Sequence, residues 1–485
     1  MEEAKRNQNQ REVELLAPAG GWEQLEYALY FGADAVYLAC DKFGLRQRAG
    51  NFTCEELPRA VALAHQAGAR VYVTCNAFAH DIDLTELPPY VEAMRDAGVD
   101  AVIVSDLGVL SVVQQVAPEL TIHVSTQASV SNAAAALMWY RLGARRIVCA
   151  REMSCAEIAA LRQAIPDDLE LEVFVHGAMC MAVSGRCLIS DYMTGRAANK
   201  GQCVQPCRWG YRLKQPMGDT SNSLQTELSQ KEPQEFILEE TSRPGQEFGI
   251  VEDGHTTYLM NSKDLNMLAH IDELRAAGVD SIKIEGRVKK AFYVATVVNA
   301  YRHVLDGEPA QEWQAELETI SHRPYSTGFF FGSAEQSSDA DMYQQLYDWV
   351  GEVICSEQQS DVSWRVWAKC RNRFYEGDEL EVLSPGKPIR TMQVSGLAEV
   401  YGLENRIKQV GSTEQLSGLS TSCSSDSAEI PSNETEVDTQ TDSSYAEVPC
   451  TTANKAMAPY VFSLDYPLQA HDILRVRRKD PSRKN

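Results

Sequence analysis

The sequence lacks long apolar runs and begins with a polar, charged segment. No uninterrupted apolar run approaches the roughly eighteen residues that a membrane-spanning helix needs. The first ten residues, MEEAKRNQNQ, have none of the apolar character of a signal peptide. These absences argue against an integral membrane protein, and we expect a cytosolic chain without a membrane partner. At 485 residues and 44% apolar composition, the chain is typical of a soluble protein with two or three domains.

Positive charge is also scarce, which argues against a generally basic surface that coats nucleic acid. The formal net charge is −23, but residues 409–450 contribute eight acidic and no basic side chains and are rich in Ser and Thr. Such a composition predicts a solvated, disordered insertion that says little about an active face. Basic residues cluster at Arg46 and Arg48 and around a cysteine-rich segment. A third basic group, from Arg475 to Lys484, is typical of a solubilising tail.

Several motifs of common enzyme classes are missing. The first strand-like run is not followed by G-x-G-x-x-G, which disfavours a dinucleotide site there. Neither G-x-S-x-G nor H-E-x-x-H occurs, so the sequence lacks these signatures of serine hydrolases and zinc proteases. A cysteine nucleophile paired with His176 stays an alternative, although four clustered thiols act more naturally as ligands than as one nucleophile.

The most informative pattern is a group of four cysteines spaced C-x6-C-x15-C-x3-C, formed by Cys180, Cys187, Cys203 and Cys207. Thiolates are soft ligands that suit zinc or an iron–sulfur cluster, and the glycine-rich composition of the segment is typical of a loop folded around a bound group. The six-residue first gap is wide for a zinc pair, so iron–sulfur is favoured while zinc stays open. The alternative is four thiols that act as small apolar side chains. The chain has 13 cysteines, and in a reducing cytosol they are expected to be ligands and core residues rather than disulfides.

Short β-branched runs alternate with amphipathic helical stretches from residue 13 to about residue 305. Alternation of this kind predicts a parallel sheet, and about eight repeats predict a closed TIM-like (β/α)8 barrel, with a doubly wound open sheet as the alternative. Nine runs resemble strands, and Tyr258–Met260 is our candidate for the one outside the barrel. The strand-like runs are Val13–Leu16, Ala35–Leu38, Val71–Thr74, Ala101–Val104, Ile122–Ser125, Arg146–Cys149, Leu171–Val175, Tyr258–Met260 and Ser281–Ile284. The helix candidates are Trp22–Phe31, Leu57–Ala67, Pro89–Ala97, Ala133–Leu142 and Leu265–Ala277, each followed by a glycine that fits a helix C-terminal cap.

These patterns divide the chain into two folded parts. We predict a disordered N-terminus over 1–12 and a barrel over 13–335, which contains a cysteine segment at 177–214 and a polar insertion at 215–245. From about residue 345 short alternating strands without helices predict a small C-terminal β-barrel over 345–485, interrupted by the acidic insertion 409–450.

Polar residues follow nearly every predicted barrel strand. Chemistry in such barrels takes place at the carboxyl ends of the strands, so these residues predict a polar pocket of mixed charge. Arginine and lysine there would suit a carboxylate-bearing small molecule. The structural alternatives are helix capping for Asp264, a buried pair between Lys283 and Glu285, and a non-catalytic role for His176. The candidate catalytic residues are His176, Lys283, Glu285 and Arg287, and the candidate substrate-binding residues are Arg46, Arg48, Asn76, Gln127, Arg151, Glu152 and Lys263.

Residues 172–190, EVFVHGAMCMAVSGRCLIS, match the signature of the collagenase-like peptidases, peptidase family U32. Further stretches resemble the branch of that family that modifies tRNA. These are LLAPAG at 15–20, GADAVY at 32–37, YLMNSKDL at 258–265, KIEGR at 283–287 and RPYSTGF at 323–329. The resemblance covers about residues 13–335 well and the C-terminal part loosely, and the acidic insertion departs from it.

The resemblance implies a TIM-like barrel in which Cys180, Cys187, Cys203 and Cys207 hold a 4Fe–4S cluster. It further implies oxygen-independent hydroxylation of the tRNA wobble uridine to 5-hydroxyuridine, with prephenate as cosubstrate or oxygen source. Prephenate is a small dicarboxylate, which agrees with the cationic pocket. A platform for the splayed-out base would come from Arg46, Arg48, Tyr192 or Trp209. A homologous partner subunit is a further expectation.

Other branches of the family hydroxylate ribosomal RNA or a quinone precursor, and both substrates stay open as alternatives. A collagenase-like peptidase, or a peptide-binding protein with a structural metal site, is the third alternative. Nothing in the quoted residues supports proteolysis beyond the family name.

Overall fold

The computed structural model describes most of the two predicted parts. The described residues are 13–41, 43–44, 50–180, 187, 189–196, 202–209, 211–214, 234–240, 247–252, 263–332, 344–360, 362–401 and 446–479. The N-terminus 1–12, Arg46, Arg48, the run Tyr258–Met260 and most of both insertions lie outside this range.

Seven parallel strands form the first part of the barrel. Most of their residues are apolar and buried, with one face of each strand against the barrel interior and the other against a helix, as parallel sheets require. Neighbours in the chain pair with one another in the order β1 to β7. The strands are β1 (Glu14–Pro18), β2 (Ala35–Leu38), β3 (Arg70–Cys75), β4 (Ala101–Val104), β5 (Thr121–Val124), β6 (Ala144–Val148) and β7 (Glu170–Ala178).

Three antiparallel strands begin at the end of the cysteine segment. They are β8 (Tyr211–Lys214), β9 (Gln234–Glu240) and β10 (Glu247–Glu252), in the order β10-β9-β8. Strand β9 lies inside the predicted polar insertion 215–245, so part of that insertion is an ordered strand.

The chain then closes the barrel. Strands β11 (Asp264–Asn266), β12 (Ser281–Ile284) and β13 (Tyr325–Ser326) come next. Strand β12 pairs in parallel with β7 on one side and with β1 on the other. The predicted closed eight-stranded parallel barrel is therefore confirmed, and it closes without Tyr258–Met260.

Helices surround the barrel, and the glycines predicted as their C-terminal caps lie in the left-handed region. Gly32, Gly68, Gly98, Gly143 and Gly278 all have positive φ, as predicted for C-terminal caps. The helices are α1 (Trp22–Tyr30), α2 (Leu57–Gln66), α3 (Asp81–Asp96), α4 (Leu107–Val116), α5 (Ala133–Arg141), α6 (Cys155–Gln163), α7 (Ile189–Thr194), α8 (Ile271–Ala276), α9 (Ala291–Leu305) and α10 (Ala310–Leu317). No helix in the described ranges is long and apolar enough to cross a membrane.

The prediction of one helix over Leu265–Ala277 is wrong. Residues 264–266 form β11, which runs antiparallel to the end of β7 with Asp264 opposite Ala178. Helix α8 begins only at Ile271. Asp264 is therefore not a helix cap: its carboxylate accepts a hydrogen bond from the backbone N–H of Arg323. Pairing with β7 outweighs the helical pattern of this segment.

The C-terminal part is an eight-stranded antiparallel sheet that curls around its own core. The order of strands across this sheet is β18-β17-β23-β14-β15-β22-β19-β20, and β16 and β21 form a separate pair. Val366, Leu380, Phe462 and Leu474 are buried in this core. The strands are β14 (Tyr347–Ser360), β15 (Ser363–Cys370), β16 (Phe374–Tyr375), β17 (Glu379–Leu383), β18 (Arg390–Gln393), β19 (Ala398–Tyr401), β20 (Ala446–Pro449), β21 (Thr452–Ala453), β22 (Pro459–Leu464) and β23 (Ile473–Arg477).

Two of these strands correct details of the sequence prediction. Strand β20 lies at the end of the predicted acidic insertion 409–450, and it pairs with β19. Arg475 lies in β23 rather than in a solubilising tail. It is 1% exposed and forms ion pairs with Glu316 and Glu381, which joins the C-terminal sheet to helix α10.

Candidate functional site

The carboxyl ends of the barrel strands form one rim that is lined with polar side chains. Thr74 is the last residue but one of β3 and Asn76 follows that strand, Ser125 follows β5, and Arg151 comes after β6. Glu285 and Arg287 follow β12. We call this rim the barrel mouth. Its side chains come from distant parts of the sequence, and the parallel strand order brings them together.

Arg287 is held at the barrel mouth by close packing. Its side chain is buried, and its Nη1 lies 3.3 Å from Oγ1 of Thr74. Its backbone passes against Gly20, where an added Cβ would lie 1.8 Å from the carbonyl oxygen of Arg287. Only glycine allows this approach. The loop after β1 therefore fixes the segment that carries Glu285 and Arg287.

The side chain of Arg151 connects the ends of three barrel strands. Its Nη1 donates to the carbonyl oxygen of Ala178 at 2.8 Å, and its Nη2 lies 3.3 Å from Oε2 of Glu285. The guanidinium carbon lies 3.8 Å from the centroid of the Phe174 ring. Its Nε is buried and has no hydrogen-bond partner. One arginine thus links the β6 end to the β12 end and to the strand that leads into the cysteine segment.

Asn76 and Gln127 lie on the opposite part of the rim around a shared serine. The side-chain amide of Asn76 donates to Oγ of Ser125 at 3.0 Å, and the same oxygen accepts the backbone N–H of Gln127 at 3.2 Å. The carbonyl oxygen of Asn76 accepts a hydrogen bond from Ser105. These contacts fix the side chain of Asn76 and the backbone of Gln127 at the ends of β3 and β5.

Glu152 and Lys263 are half-buried at neighbouring positions of the rim. Glu152 directly follows Arg151, and Lys263 directly precedes β11, which pairs with the end of β7. The structure places both near the β6 and β7 ends, and their predicted substrate role stays a prediction. Arg46 and Arg48 lie outside the described residues.

Lys283 lies below the barrel mouth, in the barrel interior. Its Nζ lies 2.8 Å from Oε1 of Glu172 and 4.3 Å from the centroid of the Tyr37 ring. Burial lowers the pKa of Lys283, although the Glu172 carboxylate opposes that shift. The predicted buried pair with Glu285 is not what forms: Glu285 contacts Arg151, and Lys283 contacts Glu172. Strand β12 ends at Ile284, and its register against β7 shifts between Lys283 and Ile284, so Glu285 does not continue the alternation that places Lys283 in the barrel interior.

His176 is buried behind β7, among aromatic rings. Its ring centroid lies 5.6 Å from that of Tyr301, 6.0 Å from that of Tyr293 and 5.3 Å from that of Tyr325. Burial, with His322 and Lys289 nearby, lowers the pKa of His176 to about 3. Its surroundings are thus the tyrosines of α9 and β13. An imidazole with such a pKa is a weak base at neutral pH.

The cysteine segment begins where β7 ends. Cys180 is exposed, and Cys187, Cys203 and Cys207 are partly buried. Within the described residues, no three His, Cys, Asp or Glu side chains come together as a metal-binding group. The ligand set therefore stays a prediction.

Local contacts nevertheless bring the two halves of the cysteine segment together. Helix α7, which begins two residues after Cys187, packs against the 3-10 turn Pro206–Arg208, which contains Cys207. Oγ of the buried Ser190 accepts the backbone N–H of Val204 at 3.2 Å. The backbone N–H of Gln205 donates to Sγ of Cys203 at 3.4 Å. A thiol that accepts a backbone N–H, as that of Cys203 does, is in the kind of surroundings that tune the sulfur ligands of iron–sulfur clusters.

Two further aromatic residues were proposed as a base platform. Tyr192 lies on α7 and is 84% exposed, and Trp209 follows the 3-10 turn and is partly buried. Both belong to the cysteine segment. Their predicted role in stacking on a base stays a prediction.

Thr74 and Phe174 are members of the barrel mouth that the sequence analysis missed. Thr74 anchors Arg287, and Phe174 supports the guanidinium of Arg151. A signal existed for both. Thr74 is a polar residue near the carboxyl end of β3, and Phe174 lies two residues after the inward-facing Glu172, so the two share one face of β7.

The chain was compared with known proteins. The family profile described as "Peptidase family U32" matches residues 20–340. The "tRNA hydroxylation protein P1" of Bacillus subtilis is 38% identical over 386 residues, which cover 77% of this chain and 84% of that protein. The "tRNA hydroxylation protein P" of Escherichia coli is 36% identical over 397 residues, which cover 77% of this chain and 86% of that protein.

A relative named for another RNA also matches. The "23S rRNA 5-hydroxycytidine C2501 synthase" of Escherichia coli is 34% identical over 294 residues, which cover 61% of this chain and 39% of that protein. The family profile spans well over half of the chain and includes the cysteine signature, the barrel mouth and the closing strand. The chain therefore belongs to peptidase family U32.

Proposed function

We propose that this chain hydroxylates tRNA, converting the wobble uridine to 5-hydroxyuridine without molecular oxygen. The observation that carries the proposal is the similarity to two proteins named for tRNA hydroxylation over 77% of the chain. That similarity extends beyond the barrel into the C-terminal sheet region, since the barrel alone would account for a smaller share of the chain. The substrate is accordingly tRNA, with a small dicarboxylate, prephenate, as cosubstrate or oxygen source.

A 4Fe–4S cluster is the proposed cofactor, held by Cys180, Cys187, Cys203 and Cys207. When bound, such a cluster supplies one-electron transfer at a site near the end of β7. Two observations support this cofactor: all four soft thiol donors lie in one segment, and the part that follows Cys187 packs against the turn that contains Cys207. The backbone N–H that reaches Sγ of Cys203 would stabilise a thiolate there.

The barrel mouth supplies the binding chemistry. Arg151 and Arg287 can meet a carboxylate, and Asn76 and Gln127 offer amide donors and acceptors across the rim. Arg151 also reaches the carbonyl oxygen of Ala178, two residues before Cys180. A dicarboxylate bound at the mouth would therefore lie beside the strand that leads into the cysteine segment. His176 is assigned a structural role in this scheme, because it is enclosed by tyrosines and its pKa is lowered to about 3.

Nucleoside analysis of tRNA tests the proposal. Total tRNA from cells that lack the gene should have lost 5-hydroxyuridine and its derivatives, as measured by mass spectrometry. Expression of the wild-type chain or of Cys149→Ala should restore the nucleoside, and Cys203→Ala should not. Normal 5-hydroxyuridine in the deletion strain, in the absence of a second homologous gene, would overturn the proposed activity.

The alternatives give different results in the same cells. If ribosomal RNA is the substrate, the lost nucleoside will appear in the rRNA fraction, and if a quinone precursor is the substrate, the lipid fraction will change. A collagenase-like peptidase would cleave gelatin or collagen peptides when purified. A homologous partner subunit would co-purify with the tagged chain, and the activity would then need both proteins.

A further inference from the structure

Two of the three guanidinium nitrogens of Arg151 lack a close hydrogen-bond partner in the protein. The side chain is 7% exposed. Nη1 donates a hydrogen bond to the carbonyl oxygen of Ala178 at 2.8 Å. Nη2 makes only a long contact of 3.3 Å with Glu285, and Nε has no partner although it is buried. Buried charged donors without partners are costly, so this arrangement points to a ligand.

The unused donors lie on one edge of the guanidinium. Nε and Nη2 are the two nitrogens that a planar carboxylate binds side by side, each at about 2.7–2.9 Å. Glu285 occupies only the Nη2 end of this edge, and at a distance longer than a charge-assisted hydrogen bond. The Phe174 ring covers one face of the guanidinium at 3.8 Å, which fixes its plane and keeps water from that face.

We infer that the Nε–Nη2 edge of Arg151 is the subsite that holds a carboxylate of the small-molecule substrate, with Glu285 as the internal group that the substrate displaces. The inference deepens the proposed function and rests on it for the identity of the cosubstrate. The same residue tethers Ala178, so a bound carboxylate would be held at a fixed place relative to the end of β7.

The chain offers a matched control for Arg151. Arg162 is also buried, with 11% of its side chain exposed, and its Nη1 donates to the carbonyl oxygen of Leu169 at 2.8 Å. The same nitrogen lies 3.3 Å from Oδ2 of Asp280. Arg162 therefore has the same kinds of partners as Arg151, but it lies on α6 rather than at the barrel mouth. Arg162→Lys therefore measures the effect of losing such contacts at a place away from the barrel mouth.

The test is calorimetric titration of anaerobically purified protein with prephenate, and with inorganic phosphate as the comparison anion. Arg151→Lys should weaken prephenate binding about 10- to 100-fold, because a planar pair of charged hydrogen bonds is lost. Arg162→Lys should bind prephenate like the wild type. Glu285→Gln removes the competing charge and keeps a hydrogen-bonding side chain, so it should bind prephenate at least about threefold more tightly.

Three results would overturn the inference. These are wild-type affinity in a folded Arg151→Lys protein, an equal loss in Arg162→Lys, and unchanged or weaker binding in Glu285→Gln. If Arg151→Lys does not fold, Glu285→Gln still decides, since it predicts a gain. Phosphate binding that depends on Arg151 as strongly as prephenate binding would reject the carboxylate assignment. The tRNA nucleoside analysis is independent: if it fails while prephenate binds through Arg151, the activity is wrong and the subsite is right.

Discussion

Nζ of Lys283 lies 2.8 Å from Oε1 of Glu172 inside the barrel, where both side chains are buried. Oε2 of the same carboxylate lies 3.2 Å from Nη1 of Arg146, which also contacts Glu14. Two carboxylates and two cations thus share the barrel interior below the mouth. Because these charged side chains pair with one another, we infer that they stabilise the barrel. Substrate binding is then the role of the barrel-mouth residues.

Replacing Lys283 by Met should destabilise the protein. The change leaves Glu172 buried with one cationic partner instead of two, and removing one member of a buried pair costs about 3 kcal/mol or more. The double variant Lys283→Met with Glu172→Gln should recover much of that loss, as measured by urea unfolding. A stable Lys283→Met protein that has lost activity would instead support the catalytic role predicted from the sequence.

Each of the four clustered cysteines should be necessary for the iron–sulfur cluster. Cys180→Ala, Cys187→Ala, Cys203→Ala and Cys207→Ala should each lose iron and the broad visible absorption, because a four-thiolate site needs every ligand. Cys40→Ala, Cys149→Ala and Cys423→Ala are the controls and should retain both. Cys40 and Cys149 are buried in the barrel, and Cys423 lies outside the described residues. Iron content near wild type in one of the four variants would remove that cysteine from the site, and a colourless zinc protein would indicate a structural metal.

Two deletions within the acidic insertion should differ in their effect on stability, because only one of them removes part of β20. The sequence predicts that removal of Ser412–Glu447 is harmless, but Glu447 lies in β20 opposite Val400 and forms an ion pair with Arg365. We therefore expect deletion of residues 412–444 to change the free energy of unfolding by less than about 0.5 kcal/mol. Deletion of 412–447 should cost about 1 kcal/mol or more, since it removes strand hydrogen bonds. Equal stability of the two deletions, measured by thermal unfolding, would contradict the role given to β20.

Arg287→Lys should weaken prephenate binding while the protein stays folded. Lysine keeps the charge but loses the planar geometry, and a lost charged hydrogen bond is worth about 1.5–3 kcal/mol. Thr74→Val is the companion variant, because it removes a described anchor of Arg287 and keeps the guanidinium. It should weaken binding less than Arg287→Lys does. A destabilised Arg287→Lys protein that binds prephenate normally would make Arg287 a structural residue.

Acid should weaken the contact between the C-terminal sheet and the barrel. Burial by itself would raise the pKa of Glu352, but His471, Lys369 and Arg371 lower it to about 2. The ordinary pKa is 4.5, so the stabilisation is complete above pH 4.5 and is lost as the pH falls towards 2. Arg371 also forms an ion pair with Glu23 of α1, which connects this carboxylate to the barrel.

Glu352→Gln should therefore lower the free energy of unfolding at pH 7 by roughly 3 kcal/mol, which is the free-energy equivalent of the lowered pKa of Glu352. The difference between variant and wild type should shrink as the pH falls from 4.5 towards 2. Glu379→Gln, at an exposed position of β17, is the control and should behave like the wild type. Urea unfolding at several pH values measures both, and a pH-independent difference would show that Glu352 acts through packing.

The sequence by itself determined the barrel and the position of its mouth. Hydrophobic runs bounded by polar residues and glycine caps are local signals, and the predicted bounds of Ala35–Leu38, Ala101–Val104 and Ser281–Ile284 coincide with β2, β4 and β12. The rule that chemistry lies at the carboxyl ends of strands then identified Asn76 and Arg151 as rim residues without any tertiary information.

Only the tertiary structure decided which side chains meet. Lys283 contacts Glu172 because strands 111 residues apart in sequence pair in parallel, and Asp264 belongs to a strand because β7 extends to receive it. Arg475 is buried because β23 returns to the sheet against α10, which a count of basic residues cannot reveal. Partners of this kind depend on long-range pairing and burial, whereas a sequence pattern reports only the local preference of each segment.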